Sequence, residues 1–212
     1  MKVLVADDHG FMRRGIRQVL EEEFSPVVVH EAHNGTDALE KFRRETFDSV
    51  VLDINLPDKN GLEVLKELKQ IRPEIPIIIL SLYPEEQYAL RAMKAGASSY
   101  LTKERAPEEL VRAMKKVLQG GKYITESLGE KLIERLHQPV NDMNRLPHQA
   151  LSDRELDVLV LIGKGESLTE ISERLSISVK TVSTYRSRIL EKLHLASTPE
   201  LIRYVIQHQL DT

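Results

Sequence analysis

Four short runs rich in Val, Ile and Leu, and a fifth run around Tyr100 and Leu101, alternate with amphipathic segments through the first 119 residues, and this alternation constrains the fold more than any other feature. Runs such as Val50-Val51-Leu52 are apolar throughout, which is typical of parallel strands covered by helices on both faces. We therefore predict an α/β fold with a doubly wound five-stranded parallel sheet. The predicted strands are residues 2–6, 27–30, 48–52, 76–80 and 98–102, and the predicted helices are residues 11–23, 34–45, 61–71, 85–95 and 107–119.

The C-terminal 62 residues have a different pattern, with helix start signals and no strand signals. Ser152 to Glu155 and Ser167 to Glu170 match the capping box, and Pro199 follows Thr198 where a helix is expected to begin. We predict a small all-α domain of four helices near residues 153–163, 168–175, 179–193 and 199–208. The predicted domains are therefore residues 1–121 and 151–212, joined by a connector of residues 122–150 that holds one helix, 125–137, and a linker, 138–150.

Composition excludes several classes of protein. The chain has no cysteine, so it cannot form a disulfide scaffold, a thiol nucleophile or a zinc-thiolate site. Its apolar runs are far shorter than the roughly 18 residues of a membrane span, and the N-terminal run is too short for a secretory signal. We therefore expect a cytoplasmic protein that does not associate with membranes. The net charge of −3 does not favour nucleic-acid binding, but a sum over the whole chain hides local patches.

Charged and hydroxyl side chains follow the ends of four predicted strands. These residues are Asp7 and Asp8, Asp53, Ser81 and Lys103. Because the carboxyl ends of parallel strands meet at one edge of a sheet, we expect these side chains to converge. Two carboxylates about 4 Å apart repel by roughly 4 kcal/mol at an effective dielectric constant near 20, so a cation must offset them. Mg²⁺ is the natural choice for oxygen ligands.

Such a cluster suits the transfer of a phosphoryl group. Asp53 would attack in line, while Mg²⁺ and Lys103 neutralise charge on the transferred oxygens. Each residue taken alone is more often a solvated turn or a helix cap. Their order at successive strand ends favours the functional interpretation.

Residues 1–121 resemble the receiver domain of bacterial two-component response regulators, which has a flavodoxin-like fold. The motifs that carry the resemblance are Ala6-Asp7-Asp8-His9, Leu52-Asp53-Ile54-Asn55-Leu56-Pro57 with Gly61, Leu80-Ser81, Ala95-Gly96-Ala97 and Tyr100-Leu101-Thr102-Lys103. The resemblance implies that Asp53 is the phosphoacceptor and that Asn55 and Tyr83 influence hydrolysis of the aspartyl phosphate. The implied Mg²⁺ ligands are Asp7, Asp8, Asp53 and the backbone of Asn55. The implied phosphoryl-binding and switch residues are Lys103, Ser81 and Tyr100.

The predicted helices 168–175 and 179–193 have the spacing of a helix-turn-helix, although a generic helical hairpin has the same spacing. Helical geometry places Val182, Ile189 and Leu193 on one buried stripe of the second helix. The opposite side and its flanks carry Lys180, Thr184, Ser187, Ser183 and Arg188. Residues 178–193 have four basic side chains and one acidic side chain, a local charge of +3. This helix is therefore a candidate for DNA recognition.

The last 62 residues resemble the four-helix DNA-binding domain of the LuxR, or NarL/FixJ, class. The motifs include Leu151-Ser152-Asp153-Arg154-Glu155, Lys180-Thr181-Val182 and Lys192-Leu193. The DNA-binding residues that we predict are Lys180, Thr181, Ser183, Thr184, Tyr185, Ser187 and Arg188. The last helix has an apolar stripe that predicts either a dimer contact or closure of the domain core, and the resemblance favours the dimer. The stripe residues are Leu201, Ile202, Val205 and Ile206.

Together these patterns predict a transcriptional regulator of a two-component system rather than an enzyme with substrate turnover. We expect its partners to be a sensor histidine kinase, double-stranded DNA bound as a homodimer, and RNA polymerase. One alternative is a hydrolase that forms an aspartyl-phosphate intermediate. Another is a DNA-binding or scaffold protein that does not depend on phosphorylation.

Overall fold

A computed structural model describes residues 1–137, 146–208 and 210 of the chain. The chain divides into two compact units, Met1–Arg135 and Leu136–Thr212, and this division falls inside the predicted connector. Most of the predicted linker, residues 138–145, lies outside the described residues. Among the helices that the structure describes, none has the length and apolar character needed to cross a membrane.

The first unit contains a five-stranded sheet in which every neighbouring pair of strands is parallel. Its strands are β1 (Lys2–Ala6), β2 (Val28–Ala32), β3 (Ser49–Asp53), β4 (Ile77–Ser81) and β5 (Ser99–Thr102), in the order β2-β1-β3-β4-β5. This confirms the predicted doubly wound α/β fold. The central strands β1, β3 and β4 are almost fully buried, as their continuous apolar sequences require.

Helices cover both faces of this sheet. They are α1 (Gly10–Glu23), α2 (Gly35–Arg44), α3 (Gly61–Ile71), α4 (Glu85–Lys94) and α5 (Ala106–Leu118). A sixth helix, α6 (Glu126–His137), follows them in the chain. Ile16 and Leu20 of α1 and Leu110 of α5 pack in one core cluster with alternate strand residues such as Val3 and Val51. α3 contacts both α2 and α4, and these three helices lie on the other face.

The second unit is all helical, as its capping signals predicted. It contains α7 (Asp153–Gly163), α8 (Leu168–Arg174), α9 (Val179–Leu193) and α10 (Thr198–Gln207). Both capping boxes form: the Ser152 and Ser167 hydroxyls accept from the amides of Glu155 and Glu170, and each glutamate accepts from the amide of its serine. Residues Pro147–Ala150, which we predicted to be linker, instead form a short 3₁₀ helix that begins at a proline.

The apolar stripe of α10 divides into a buried half and an outward half. Leu201 and Val205 are completely buried, and α10 packs against α7. A Cβ atom at Gly163 of α7 would overlap the Val205 side chain, so the two helices are in close contact. The prediction that all four stripe residues form a dimer contact is therefore wrong for Leu201 and Val205, because the core of their own unit covers them. Ile202 is half-buried and Ile206 is 58% exposed, so the proposed dimer contact is restricted to these two residues.

We expect Gly163→Ala to lower the free energy of unfolding of the second unit by about 1–3 kcal/mol, because Val205 must move to admit the added methyl group. Gly15→Ala in α1 is the matched control, since nothing lies within 4 Å of its added Cβ. That variant should gain about 0.5–1 kcal/mol from helix propensity. Urea denaturation measures both, and a neutral or stabilising Gly163→Ala would contradict the close packing.

Candidate functional site

The carboxyl ends of β1, β3 and β5 bring three charged side chains together. Lys103 follows β5, and its Nζ atom lies 2.7 Å from Oδ2 of Asp53, the last residue of β3, and 2.8 Å from Oδ2 of Asp7. All three residues are at least 94% buried. The buried ammonium therefore bridges two buried carboxylates, in the place where the strand order brings these ends together.

Asp8 and His9 extend the cluster toward solvent. The Nδ1 atom of His9 lies 2.7 Å from Oδ1 of Asp8 and 3.2 Å from Oδ1 of Asp7. One ligand atom from each of Asp7, Asp8, His9 and Asp53 lies within 4.8 Å of the others. We did not single out His9 as a site residue from the sequence, although it directly follows the paired aspartates.

The donor set fits Mg²⁺. Three carboxylates supply the hard oxygen ligands that this ion prefers. Asp7 Oδ2 is buried and has an ion-pair contact with Lys103 but no hydrogen bond among the described residues, so it retains capacity to bind a cation. The backbone amide of Asn55 donates to Asp53 Oδ1 at 3.0 Å, which places the Asn55 backbone beside the cluster.

The loop after β3 is packed directly against the backbone of Asp53. A Cβ atom at Gly61 would overlap the carbonyl oxygen of Asp53, so only glycine fits there. The Gly61 amide donates to the carbonyl of Ile54 at 2.8 Å, and the Asn60 side chain caps α3 by accepting from the Leu62 amide. These contacts fix the backbone on both sides of the loop and hold Asp53 in place.

Burial changes the proton affinity of this cluster. It raises the pKa of Asp53 to about 6, and the nearby charge of Asp7 acts in the same direction while Lys103 opposes both. Burial alone would lower the pKa of Lys103, but Asp53 and Asp7 more than offset this and leave its pKa above the usual range. Lys103 is therefore a permanent cation at neutral pH.

Ser81, Tyr83 and Tyr100 form a hydrogen-bonded chain beside the carboxylates. The Ser81 hydroxyl accepts from the backbone amide of Tyr83 at 3.0 Å, and the Tyr100 hydroxyl donates to the Tyr83 carbonyl at 2.8 Å. Ser81 and Tyr100 are completely buried. Burial raises the pKa of Tyr100, so its hydroxyl remains a donor. The Asn55 amide nitrogen donates to the Tyr83 hydroxyl at 3.2 Å, which joins the β3–α3 loop to this chain.

In the second unit, α9 presents a polar surface away from its buried stripe. Val182, Ile189 and Leu193 face the core as predicted, while Lys180, Thr184, Ser187 and Arg188 are exposed. Thr181, Ser183 and Tyr185 are half-buried at the sides. A shallow depression of about 300 Å³ is lined by Lys180, Thr181, Thr184, Tyr185 and Arg188. The structure thus gathers five of the seven predicted DNA-binding residues around one surface feature.

Several hydroxyl groups on α9 are already engaged by the helix itself. The Thr184 and Ser187 hydroxyls donate to the carbonyls of Lys180 and Ser183, four residues earlier. The Thr181 amide donates to the N-cap Ser178, and the two hydroxyls of this pair are 2.8 Å apart. Thr181 therefore contributes to the helix cap as well as to the surface. The Arg186 Nε atom donates to the Thr198 hydroxyl at the start of α10 at 2.8 Å, so this side chain links α9 to α10.

Each of the two units matches a known protein family. The model of the response regulator receiver domain matches residues 3–115, and that of the bacterial regulatory proteins of the luxR family matches residues 149–205. The response regulator UvrY of Escherichia coli K12 is 36% identical over 99% of this chain and 95% of its own length. The response regulator GacA of Pseudomonas aeruginosa is 35% identical over 98% of this chain and 96% of its own length. RcsB of Salmonella enterica serovar Typhimurium, solved bound to promoter rprA with the phosphomimetic BeF₃⁻, superposes with a TM-score of 0.64 at 25% identity, covering 97% of this chain and 98% of that one.

We expect burial of Asp53 to make the free energy of unfolding depend on pH when divalent metal is absent. The pKa of Asp53 is about 6 in the folded protein, above its ordinary value of 3.8 in an unfolded chain. The folded state therefore loses stability relative to the unfolded state as pH rises from about 4 to 6. Asp53→Asn removes the titrating group. The free energy of unfolding of the variant, relative to that of the wild type, should therefore increase by about 2 kcal/mol from pH 4.5 to pH 7. Urea denaturation in the presence of chelator measures this difference. A difference that is constant with pH would contradict the raised pKa.

Proposed function

The chain belongs to the response regulators that join a receiver domain to a LuxR-family DNA-binding domain, and we propose that a phosphoryl group on Asp53 of the first unit controls DNA binding by the second. The chain is thus a phosphorylation-regulated transcriptional regulator of a two-component system. The observation that carries the proposal for Asp53 is the bridge that Lys103 makes between Asp53 and Asp7 at the ends of three parallel strands. The first unit, which contains the receiver domain, is the receiver unit of the chain.

The phosphoryl donor that fits this role is the phosphohistidine of a sensor kinase. A carboxylate oxygen of Asp53 attacks phosphorus, the bond from phosphorus to the histidine nitrogen breaks, and the nitrogen retains that electron pair. Asp7, Asp8, Asp53 and the backbone of Asn55 would hold Mg²⁺, which would supply positive charge near the transferred oxygens. Lys103 supplies a positive charge of its own, because its ammonium already contacts the attacking carboxylate at 2.7 Å.

The raised pKa of Asp53 has a direct consequence for this chemistry. Only the ionised carboxylate is a nucleophile, and burial makes ionisation less favourable than in water. Lys103 opposes this effect and favours the ionised carboxylate. A divalent cation held by Asp7, Asp8 and Asp53 would favour it further, because it would offset the repulsion between the carboxylates.

In the second unit we propose that α9 enters the major groove of DNA. Helices of this length and position in a helix-turn-helix contact bases with their outward residues, and the backbone phosphates with flanking ones. We assign Ser183, Thr184 and Ser187 to the bases and Lys180 and Arg188 chiefly to the phosphates, with Thr181 and Tyr185 at the sides.

A second copy of the chain is the proposed partner on DNA, with Ile202 and Ile206 as its contact residues on α10. Both lie on the outward half of the α10 stripe, whereas Leu201 and Val205 are enclosed by the core. We further propose that the DNA-bound protein contacts RNA polymerase. We also propose that the protein is located in the cytoplasm. We also propose that the receiver chemistry is not used for turnover of a substrate.

We expect a cognate kinase to phosphorylate the protein on Asp53 in a reaction that requires Mg²⁺. Asp53→Asn should not be labelled, and excess chelator should abolish labelling of the wild type. Asp48→Asn is the matched control, because Asp48 lies just before the other end of β3 and is exposed. Mass spectrometry of the kinase-treated protein locates the group. Equal labelling of Asp53→Asn, or full labelling in chelator, would exclude Asp53 as the metal-dependent phosphoacceptor.

DNA binding should separate the two classes of α9 residues. Lys180→Ala should weaken binding to all sequences and reduce the slope of log affinity against log salt by roughly one, because one phosphate contact is lost. Ser183→Ala and Ser187→Ala should instead change which base pairs are preferred. Lys164→Ala is the control, since this exposed lysine lies just after α7. Salt titrations and selection from a random DNA pool measure the two effects, and unchanged binding by every α9 variant would exclude this helix as the recognition element.

A further inference from the structure

A buried glutamate joins α4 to the start of the connector helix α6. Glu85, the first residue of α4, is 5% exposed, and its Oε2 atom accepts from the Thr125 hydroxyl at 2.7 Å and the Ser127 hydroxyl at 2.8 Å. Its other oxygen, Oε1, is buried with no hydrogen-bond partner in the described part of the chain. Two hydrogen bonds from neutral hydroxyls offset only part of the free energy that a carboxylate loses when it is removed from water. Its position is therefore sensitive to small movements of either helix.

The two hydroxyl groups belong to the first turn of α6. The Thr125 hydroxyl also accepts from the Leu128 amide at 3.2 Å, and the Thr125 carbonyl accepts from the Gly129 amide at 2.9 Å. Thr125 is thus the residue that caps α6, and Glu85 is bonded to the cap itself. The negative charge of Glu85 also lies at the end of α6 where the helix dipole favours an anion. Loss of Glu85 would weaken the first turn of α6 without removing its cap.

Glu85 is connected to the Asp53 cluster by a short stretch of chain. Ser81, Tyr83 and Glu85 alternate along it, and the Tyr83 amide and carbonyl are bonded to Ser81 and Tyr100. Burial is the main cause of the raised pKa of Tyr100, and the negative charge of Glu85 raises it further. The Tyr100 hydroxyl and the Glu85 carboxylate are therefore close enough to interact. A shift of Ser81 toward a phosphoryl group on Asp53 would move Tyr83 and, two residues later, Glu85.

The segment before α6 has one further attachment to the sheet. The Tyr123 amide donates to the Ser98 carbonyl at 3.0 Å, and Tyr123 forms a single parallel bridge with Ser99 of β5. This attachment is a backbone contact with β5, whereas the contact with α4 depends on the Glu85 side chain. The hydrogen-bonded chain from Ser81 also reaches β5 through Tyr100, but only the attachment to α4 depends on a side chain that follows Tyr83 in the same segment.

We propose that Glu85 is a latch that holds the first turn of α6 on the receiver unit and that opens when Asp53 is phosphorylated, an inference that rests on the phosphoacceptor role proposed above. The α6 helix is the last element of the receiver unit before the chain continues to the DNA-binding unit. Opening the latch changes the order of the connector itself. The state of Asp53 would thereby determine how firmly the connector is held.

Hydrogen exchange of the Leu128 and Gly129 amides in the full-length protein tests the latch, because both amides are bonded to Thr125. Beryllofluoride with Mg²⁺ serves as the phosphoryl mimic, and ¹⁹F NMR reports its binding. In the wild type we expect the mimic to speed exchange of these amides about fivefold or more. In Glu85→Ala exchange should already be fast, and the mimic should add less than about twofold.

Glu108→Ala is the matched control, because it also removes a glutamate from the first turn of a helix, α5, and should respond like the wild type. Ser127→Ala removes one of the two bonds from a half-buried residue and should give an intermediate rate, so the test does not depend on Glu85→Ala folding.

The outcomes separate the latch from the function on which it rests. No fluoride signal from bound mimic in the wild type would overturn the phosphoacceptor role and the latch together. Bound mimic with unchanged or slower exchange of Leu128 and Gly129 would overturn the latch alone. A Ser127→Ala variant that exchanges and responds like the wild type would also overturn it.

Discussion

The ion pairs between Lys103 and the carboxylates of Asp53 and Asp7 are the interaction on which the rest of the receiver unit depends. Three buried charges at the ends of three strands are tolerated only because they compensate one another. Removing the lysine would leave two buried like charges, and breaking a buried pair in this way costs on the order of 3–5 kcal/mol. The strand order and the charged site therefore depend on each other. The sheet must bring β1, β3 and β5 to the same edge, and the charges are stable only when it does.

Much of this arrangement follows from local sequence signals. Continuous apolar runs predicted the central strands within one residue, and charged residues after those runs predicted the cluster, because strand ends of a parallel sheet share an edge. Strand β2 was predicted too short, ending at residue 30, whereas it extends to Ala32. It is an edge strand in which the consecutive polar residues His30 and Glu31, which point to opposite faces, are both half-buried, so an apolar run underestimates its length.

Contacts between distant residues were not predictable in the same way. A helical stripe on α10 identifies an apolar face but not the neighbour that covers it, so Leu201 and Val205 were assigned to a partner although α7 covers them. Glu85 and Thr125 are 40 residues apart, and nothing in their local sequence indicates that they meet. His9 lies near the site because it directly follows Asp8 in the sequence. Its contact with both aspartates depends on the orientation of its side chain, which sequence spacing does not determine.

The absence of a side chain at Gly61 determines where mechanical change can occur after phosphorylation. The loop rests on the carbonyl of Asp53, so the proposed phosphoacceptor has almost no freedom to shift its own backbone. Strand β3 is then a fixed anchor, and the added charge must be accommodated by groups that come to it. The neighbours that the proposal requires to move are the Ser81 hydroxyl at the end of β4 and the Tyr100 side chain of β5. On that proposal the signal would leave the sheet on the side opposite β2, through the half of the receiver unit that also carries the connector.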